Sequence, residues 1–164
     1  MIKKEAPEIW TLLEQVSDPE IPVLTVIDMG VIRSVKEIKD GAVEVVITPT
    51  YSGCPAMDMI EVEIRAVLQE NGYDNVMVKT VLSPAWTTEW MSESGKKKLK
   101  EYGIAPPEGS IIDKSVLFGD AKKIECPRCS SRNTEMLSQF GSTACKALYQ
   151  CSDCKEPFDY FKCH

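Results

Sequence analysis

Histidine is almost missing from this chain. There is one in 164 residues, His164, at the last position. A Ser-His-Asp or Cys-His catalytic set would hang on that terminal residue, so no such arrangement is expected. Long apolar runs are missing too. None approaches the roughly 18 residues needed to cross a bilayer. The start, Met1-Ile2-Lys3-Lys4-Glu5, turns polar at once, unlike a signal peptide. The expectation is a cytoplasmic protein with no membrane partner. Positive charge is also scarce, with Lys and Arg totalling 19 against 25 Asp and Glu. Residues 1–120 hold twelve cations and twenty anions, a formal -8, and residues 121–164 hold seven and five, a formal +2. Four thiolates around a divalent ion would bring that tail to about zero. Neither part has the basic footprint of a nucleic-acid binder. Repeats and low-complexity tracts are absent.

Cysteine, by contrast, is plentiful, with seven in the chain. In a reducing compartment, paired Cys-x-x-Cys spacings point to metal or redox chemistry rather than structural disulfides. Cys126-Pro127-Arg128-Cys129 and Cys151-Ser152-Asp153-Cys154 are two such turns, 21 residues apart. Each directs two sulfurs at one point, and two turns complete a tetrahedral site. Residues 134–140 and 146–150 between them can form the strands of a zinc ribbon. Four thiolates also suit iron or an iron–sulfur cluster. Structural zinc is the favoured reading, since it contributes roughly 10–16 kcal/mol of apparent binding free energy, enough to fold a module this small. Cys145, Cys163 and His164 are left over, and Cys145 and Cys163 are candidate additional ligands.

The rest of the chain reads as an α+β domain. Ile9, Leu12, Leu13 and Val16 mark an amphipathic helix over 5–16, ended by Ser17-Asp18-Pro19. Two β-branched runs, 31–38 and 42–48, are joined by Lys39-Asp40-Gly41, a hairpin signal. A second helix over 56–71 carries Met57, Ile60, Ile64, Val67 and Leu68 on one face. A strand over 75–82 and a Lys-rich helix over 92–102 follow. This order predicts a small mixed sheet with helices packed on it, followed by a β-rich zinc ribbon. The expected domains are residues 1–105, a linker over 106–120, and 121–164.

Thr50-Tyr51-Ser52-Gly53-Cys54-Pro55 is the second place to look. Cys54 precedes the second helix, where unpaired N–H groups and the helix dipole are expected to lower its pKa. Gly53 would let the backbone approach a ligand closely. Such a thiol suits a nucleophile or a soft-metal ligand, and a plain buried cysteine beside a turn is an equally open reading. Asp18 and Glu20, in Asp18-Pro19-Glu20-Ile21-Pro22, form a pair of carboxylates that can bind metal, although solvated loop charges are commoner. Trp86 and Trp90 suit core or interface anchors.

Taken together, Asp18-Pro19-Glu20-Ile21-Pro22, Asp28-Met29-Gly30-Val31-Ile32 and Thr50 through Cys54-Pro55 resemble the SufT-type iron–sulfur maturation domain. The stretches Phe140-Gly141-Ser142-Thr143-Ala144-Cys145-Lys146-Ala147 and Glu156-Pro157-Phe158-Asp159-Tyr160-Phe161-Lys162-Cys163 resemble the zinc-ribbon extension of the phenylacetate-degradation PaaD family. The resemblance covers almost the whole chain. It implies an accessory role without intrinsic catalysis, in assembling or inserting iron–sulfur clusters for the phenylacetyl-CoA epoxidase, a multicomponent monooxygenase. The implied client is the reductase component, with its [2Fe–2S] centre, and the oxygenase subunits and a second copy of the chain are further candidate partners. Cys54 would handle the cluster or metal, with Asp18 and Glu20 nearby. The implied metals are structural zinc and a transient iron–sulfur cluster or iron. The alternative is a structural or regulatory subunit of that complex that never handles a cluster. One departure is Ser52, where the wider family often has proline.

Overall fold

The computed structural model describes residues 6–108 and 122–162. They divide into two units. One runs to Trp86 and takes in Trp90–Gly95, and the other comprises Thr87–Glu89 and the chain from Lys96 onward.

In the first unit the opening helix, α1 (Pro7–Leu13), starts with proline in its first turn, where the missing N–H costs nothing. It is shorter than the 5–16 expected. Gln15 and Val16 donate to the carbonyls of Leu12 and Leu13, three residues back, which tightens the end into a turn. Val16 stays buried all the same. Strands β1 (Ile32–Glu37) and β2 (Val43–Ile47) form the expected antiparallel hairpin. Asp40 at its tip has φ +63°, a conformation Asp tolerates. Along β2, Val43, Val45 and Ile47 are buried while Glu44 and Val46 on the other face are only half-buried, the period of two expected of a strand.

Helix α2 (Ala56–Glu70) then leads to β3 (Val76–Thr80), which pairs parallel to β2. A parallel neighbour needs a crossover, and α2 supplies it. The three-stranded sheet has the order β1-β2-β3 and is mixed, as the sequence predicts. α2 packs on β3 and α1. Its buried face is Met57, Ile60, Ile64 and Leu68, while Val67 is only half-buried.

A second set of contacts ties Trp86 and residues 90–95 to the segment before β1. Gly30 has φ +68°, and a Cβ there would lie 2.2 Å from the Trp90 carbonyl oxygen, so no other residue fits. The Trp86 indole N–H donates to the Met29 carbonyl at 2.8 Å. The Ser92 hydroxyl donates to the Asp28 carboxylate at 2.9 Å, and the Ser92 N–H to the Asp28 carbonyl at 2.8 Å. Arg33 stacks 3.5 Å above the Trp90 ring centre. Asp28-Met29-Gly30 is therefore a buckle for the first unit, and Trp86 is one of its core anchors.

Helix α3 (Glu93–Tyr102) is followed by a very short strand, β4 (Ile104–Ala105). Strands β5 (Thr134–Ser138), β6 (Lys146–Cys151) and β7 (Pro157–Phe161) complete a second sheet of order β4-β7-β6-β5. Ile104 and Ala105, which end the segment read as the first domain, pair parallel with Asp159 and Tyr160 of β7. Tyr149 stacks on Phe158 at 5.9 Å and meets Tyr160 edge-on at 5.8 Å. The core of this unit is small and includes Ala105, Ile124, Tyr149 and Phe158 together with Cys126 and Cys151. Most of the expected linker, together with Cys163 and His164, lies outside the described residues.

Ile64 is fully buried in α2. Its replacement by alanine deletes buried methylenes and leaves a cavity, so Ile64→Ala is expected to destabilise the first unit by about 2–5 kcal/mol in urea unfolding followed by circular dichroism.

Candidate metal centre and cysteine loop

The two Cys-x-x-Cys turns of the ribbon have the same backbone. In each, the first cysteine's N–H donates to the carbonyl five residues on, Cys126 to Ser131 at 2.9 Å and Cys151 to Glu156 at 3.0 Å. In each, the residue four places after the first cysteine takes a left-handed conformation, Ser130 at φ +60° and Lys155 at φ +64°. Around these bends backbone N–H groups point at sulfur. Ser131 donates to the Cys129 sulfur, Glu156 to that of Cys154, and Cys154 and Asp153 to that of Cys151. The two knuckles are tied together by Asp153, whose carboxylate accepts from the Ser131 hydroxyl and from the Asn133 amide at 3.0 Å. These bonds hold the Asp153 carboxyl below the usual carboxylate range.

The four sulfurs lie within 4.8 Å of one another. Cys126 and Cys154 are 3.7 Å apart, and Cys129 and Cys151 are 3.6 Å apart. Bonds of about 2.3 Å to a tetrahedral zinc imply sulfur–sulfur edges of about 3.8 Å, so the donor set fits such an ion. Without a cation the four groups compete for charge. Backbone donation from Cys154 leads in drawing the Cys151 thiol down to about 7. Cys129 is pushed up to about 12 despite the Ser131 N–H, by burial and by the sulfurs of Cys151, Cys154 and Cys126. A bound divalent ion resolves that conflict by taking all four as thiolates.

Cys145 immediately precedes β6 and Cys151 ends it. Six extended residues at ~3.3 Å each separate the two by ~20 Å, so Cys145 cannot join this group. It is buried, with its sulfur 3.0 Å from the Thr143 hydroxyl.

The second candidate lies in the first unit. Cys54 precedes α2, its N–H donating to the Tyr51 carbonyl at 3.3 Å and its own carbonyl accepting from Met57 at 3.2 Å. Its half-buried sulfur accepts from the Ala56 N–H and bonds the Thr50 hydroxyl. Gly53 has φ +83°, and an added Cβ would meet nothing within 4 Å. The glycine serves the turn, and the space beside it is open.

Asp18 and Glu20 are brought close enough to act on Cys54 electrostatically. The Asp18 carboxylate is buried and accepts from the N–H groups of Glu20 at 2.8 Å and Ile21 at 2.7 Å, which folds the Asp-Pro-Glu loop around it. The expected lowering of the Cys54 pKa is reversed. Burial, then the charges of Glu20 and Asp18, push the thiol up, outweighing the Ala56 N–H and the Thr50 hydroxyl. The local sequence shows the helix start but not the carboxylates, which come from about 35 residues earlier. Among the described residues, the ribbon cysteines are the one group of three or more ligating side chains within 4.8 Å, so Cys54, Asp18 and Glu20 do not close to that distance. The sequence reading missed the Thr50 hydroxyl, whose only signal is its place four residues before Cys54, and the Asp153 clamp, for which no sequence signal exists.

Comparison with known proteins bears on both sites. Residues 7–79 match the family described as "Iron-sulfur cluster assembly protein", and residues 112–162 match the "PaaD zinc beta ribbon domain". The chain is 50% identical over 156 residues to an Escherichia coli (strain K12) protein named as a subunit of a "Putative 1,2-phenylacetyl-CoA epoxidase", covering 95% of this chain and 92% of that protein. The chain belongs to the PaaD family. Its first part is also 37% identical over 93 residues to the "Fe-S protein maturation auxiliary factor" of Porphyromonas gingivalis, covering 56% of this chain and 88% of that protein. The crystal structure of a domain of unknown function from Bacillus anthracis shares the fold at TM-score 0.54 and 27% identity, over 57% of this chain and 89% of that one. No helix among the described residues is long and apolar enough to cross a membrane.

Two outcomes follow for these sites. With Cys126 and Cys151 counted in its core, the ribbon is expected to melt when a strong chelator strips its metal. The near-ultraviolet signal of Tyr149, Phe158 and Tyr160 should collapse while the helical signal of the first unit persists. At Cys54, removing the larger of the two carboxylate contributions lowers a raised thiol pKa. Glu20→Gln should therefore increase the thiolate fraction at pH 8 and speed alkylation of Cys54, read as a pH–rate profile by mass spectrometry.

Proposed function

We propose that the protein is an accessory factor for iron–sulfur cluster assembly or insertion, with Cys54 as a transient ligand and zinc in the ribbon as a permanent one. The observation that carries this reading is the placing of Cys54. It is a half-buried thiol at a helix start, beside open space at Gly53 and under the field of Asp18 and Glu20. It lies in the part of the chain that matches cluster-assembly proteins.

The physical argument concerns exchange. A thiol whose pKa is raised holds its proton at neutral pH, and a metal must displace that proton to bind. Such a ligand binds less tightly than one ionised in advance and lets go more readily. Cationic iron, by contrast, is favoured by the two carboxylates that disfavour a bare thiolate. In the ribbon, backbone donors surround the sulfurs and the four converge, which suits a permanent ion. Free thiols in this number suit a reducing, cytoplasmic setting.

The client we favour is the reductase component of the phenylacetyl-CoA epoxidase, in keeping with the name of the E. coli relative. That same name supports a second reading, a structural or regulatory subunit of the complex with no part in cluster handling. Cys54→Ser separates the two. Under the first reading the variant keeps its fold and its zinc, and the iron and sulfide content of the co-produced reductase falls severalfold. Unchanged iron and sulfide in the reductase would sink the first reading in favour of the second.

A further inference from the structure

The outward face of α2 carries apolar residues that the fold leaves uncovered. Met59 is 53% exposed and Val62 59% exposed, and Ala66 is exposed as well. With Pro55, just before the helix, they sit at spacings of four, three and four. At 100° per residue that places all four within about 60° of one another, on the side opposite Ile60, Ile64 and Leu68. Solvent-facing helix positions ordinarily hold Glu, Lys or Gln, and a β-branched valine there gains nothing in helix propensity. An apolar stripe with a polar border is the mark of a docking surface.

The border is net acidic. Asp58, Glu63 and Glu70 flank the stripe, and the nearby Arg65 cation is engaged by Glu61 at 2.6 Å. A second copy laid on this face would set one acidic border against the other, inside a segment whose formal charge over residues 1–120 is -8. A partner with a basic border meets attraction instead.

From this we propose that the Pro55–Met59–Val62–Ala66 face of α2 docks a partner protein presenting an apolar patch bordered by lysine or arginine. The stripe begins at the residue after Cys54, so a protein seated on it lies beside that thiol. The proposal rests on the cluster-transfer reading and names the surface by which the acceptor is received.

The test uses the full chain and the purified reductase component stripped of its cluster, with binding measured by calorimetry at 50 and 500 mM NaCl. M59K/V62K should weaken binding at least about tenfold, the scale of losing a central contact. Higher salt should weaken wild-type binding, since the border contributes through charge. M59S/V62S removes the apolar surface without adding charge and should weaken binding in the same direction. Circular dichroism confirms that the variants fold, as expected for exposed positions. With ferrous iron, sulfide and a thiol reductant supplied at limiting concentration, C54S should bind as wild type does and restore the cluster no faster than the reductase does alone.

If M59K/V62K and M59S/V62S bind and restore the reductase like wild type, the docking surface is refuted while the cluster reading stands. If the wild type self-associates through this face and shows no reductase binding, the occupant is a second copy and the proposal is overturned. If C54S restores the cluster fully, the underlying reading fails, whatever the binding data show.

Discussion

Four sulfur atoms held within 4.8 Å of one another set the terms for half of this protein. Two of the four, Cys126 and Cys151, are also members of the small ribbon core, so the same side chains that gather charge are needed to exclude water. Backbone N–H groups from both knuckles favour ionised sulfur, while mutual repulsion opposes it. Cys151 is drawn down and Cys129 pushed up as a result. Only a cation satisfies the packing and the charge together. It also closes the 21-residue loop between the knuckles, which removes chain entropy from the unfolded state much as a cross-link does. The β4–β7 pairing draws Ile104 and Ala105 into the same sheet, so what the ion stabilises reaches back beyond the linker.

Cys54 is the same chemical group with carboxylates, in place of other sulfurs, as its opposing neighbours. Around the ribbon sulfurs backbone donors contend with the other sulfurs of the cluster. Around Cys54 two donors are outweighed by burial and by the charges of Glu20 and Asp18. Asp18 cannot relax away, because its carboxylate caps two N–H groups of its own loop. The raised thiol is therefore a property of the folded unit, set first by burial and then by the charges of the Asp-Pro-Glu loop, neither of which the local sequence around Cys54 contains.

How far such features are legible in sequence depends on how local they are. The Asp40-Gly41 turn, the alternation in β2 and the face of α2 defined by Ile60, Ile64 and Leu68 are written in residues a few places apart, and they appear in the structure. The four ribbon cysteines are equally readable because Cys-x-x-Cys fixes its own turn. β7 escapes the sequence pattern since Phe158, Tyr160 and Phe161 alternate poorly, and β4 because its partner lies some 55 residues on. The sign of the Cys54 shift is hidden for the same reason. The helix start is local, whereas the burial and the carboxylates that override it arrive through tertiary structure. Gly30 shows the opposite case, a residue plain in the sequence whose necessity appears only when the Trp90 carbonyl is placed 2.2 Å from its missing Cβ.

For a carrier, the strength of a ligand matters less than its strength relative to the acceptor's. A protein that delivers a cluster must hold it more weakly than the site that receives it. The number of ligands is one way to tune that balance. Under the proposed function another lies in the acidic neighbours of Cys54, which disfavour the bare thiolate yet favour a cationic cargo. The same sign of charge runs along α2 through Asp58, Glu63 and Glu70. At 1.5 Å of rise per residue the stripe from Met59 to Ala66 spans about 10 Å, and Pro55 carries its near end to the residue after Cys54. Under the proposed function, cargo and acceptor are drawn to the same acidic side of the molecule, and the cargo has only a short path between them.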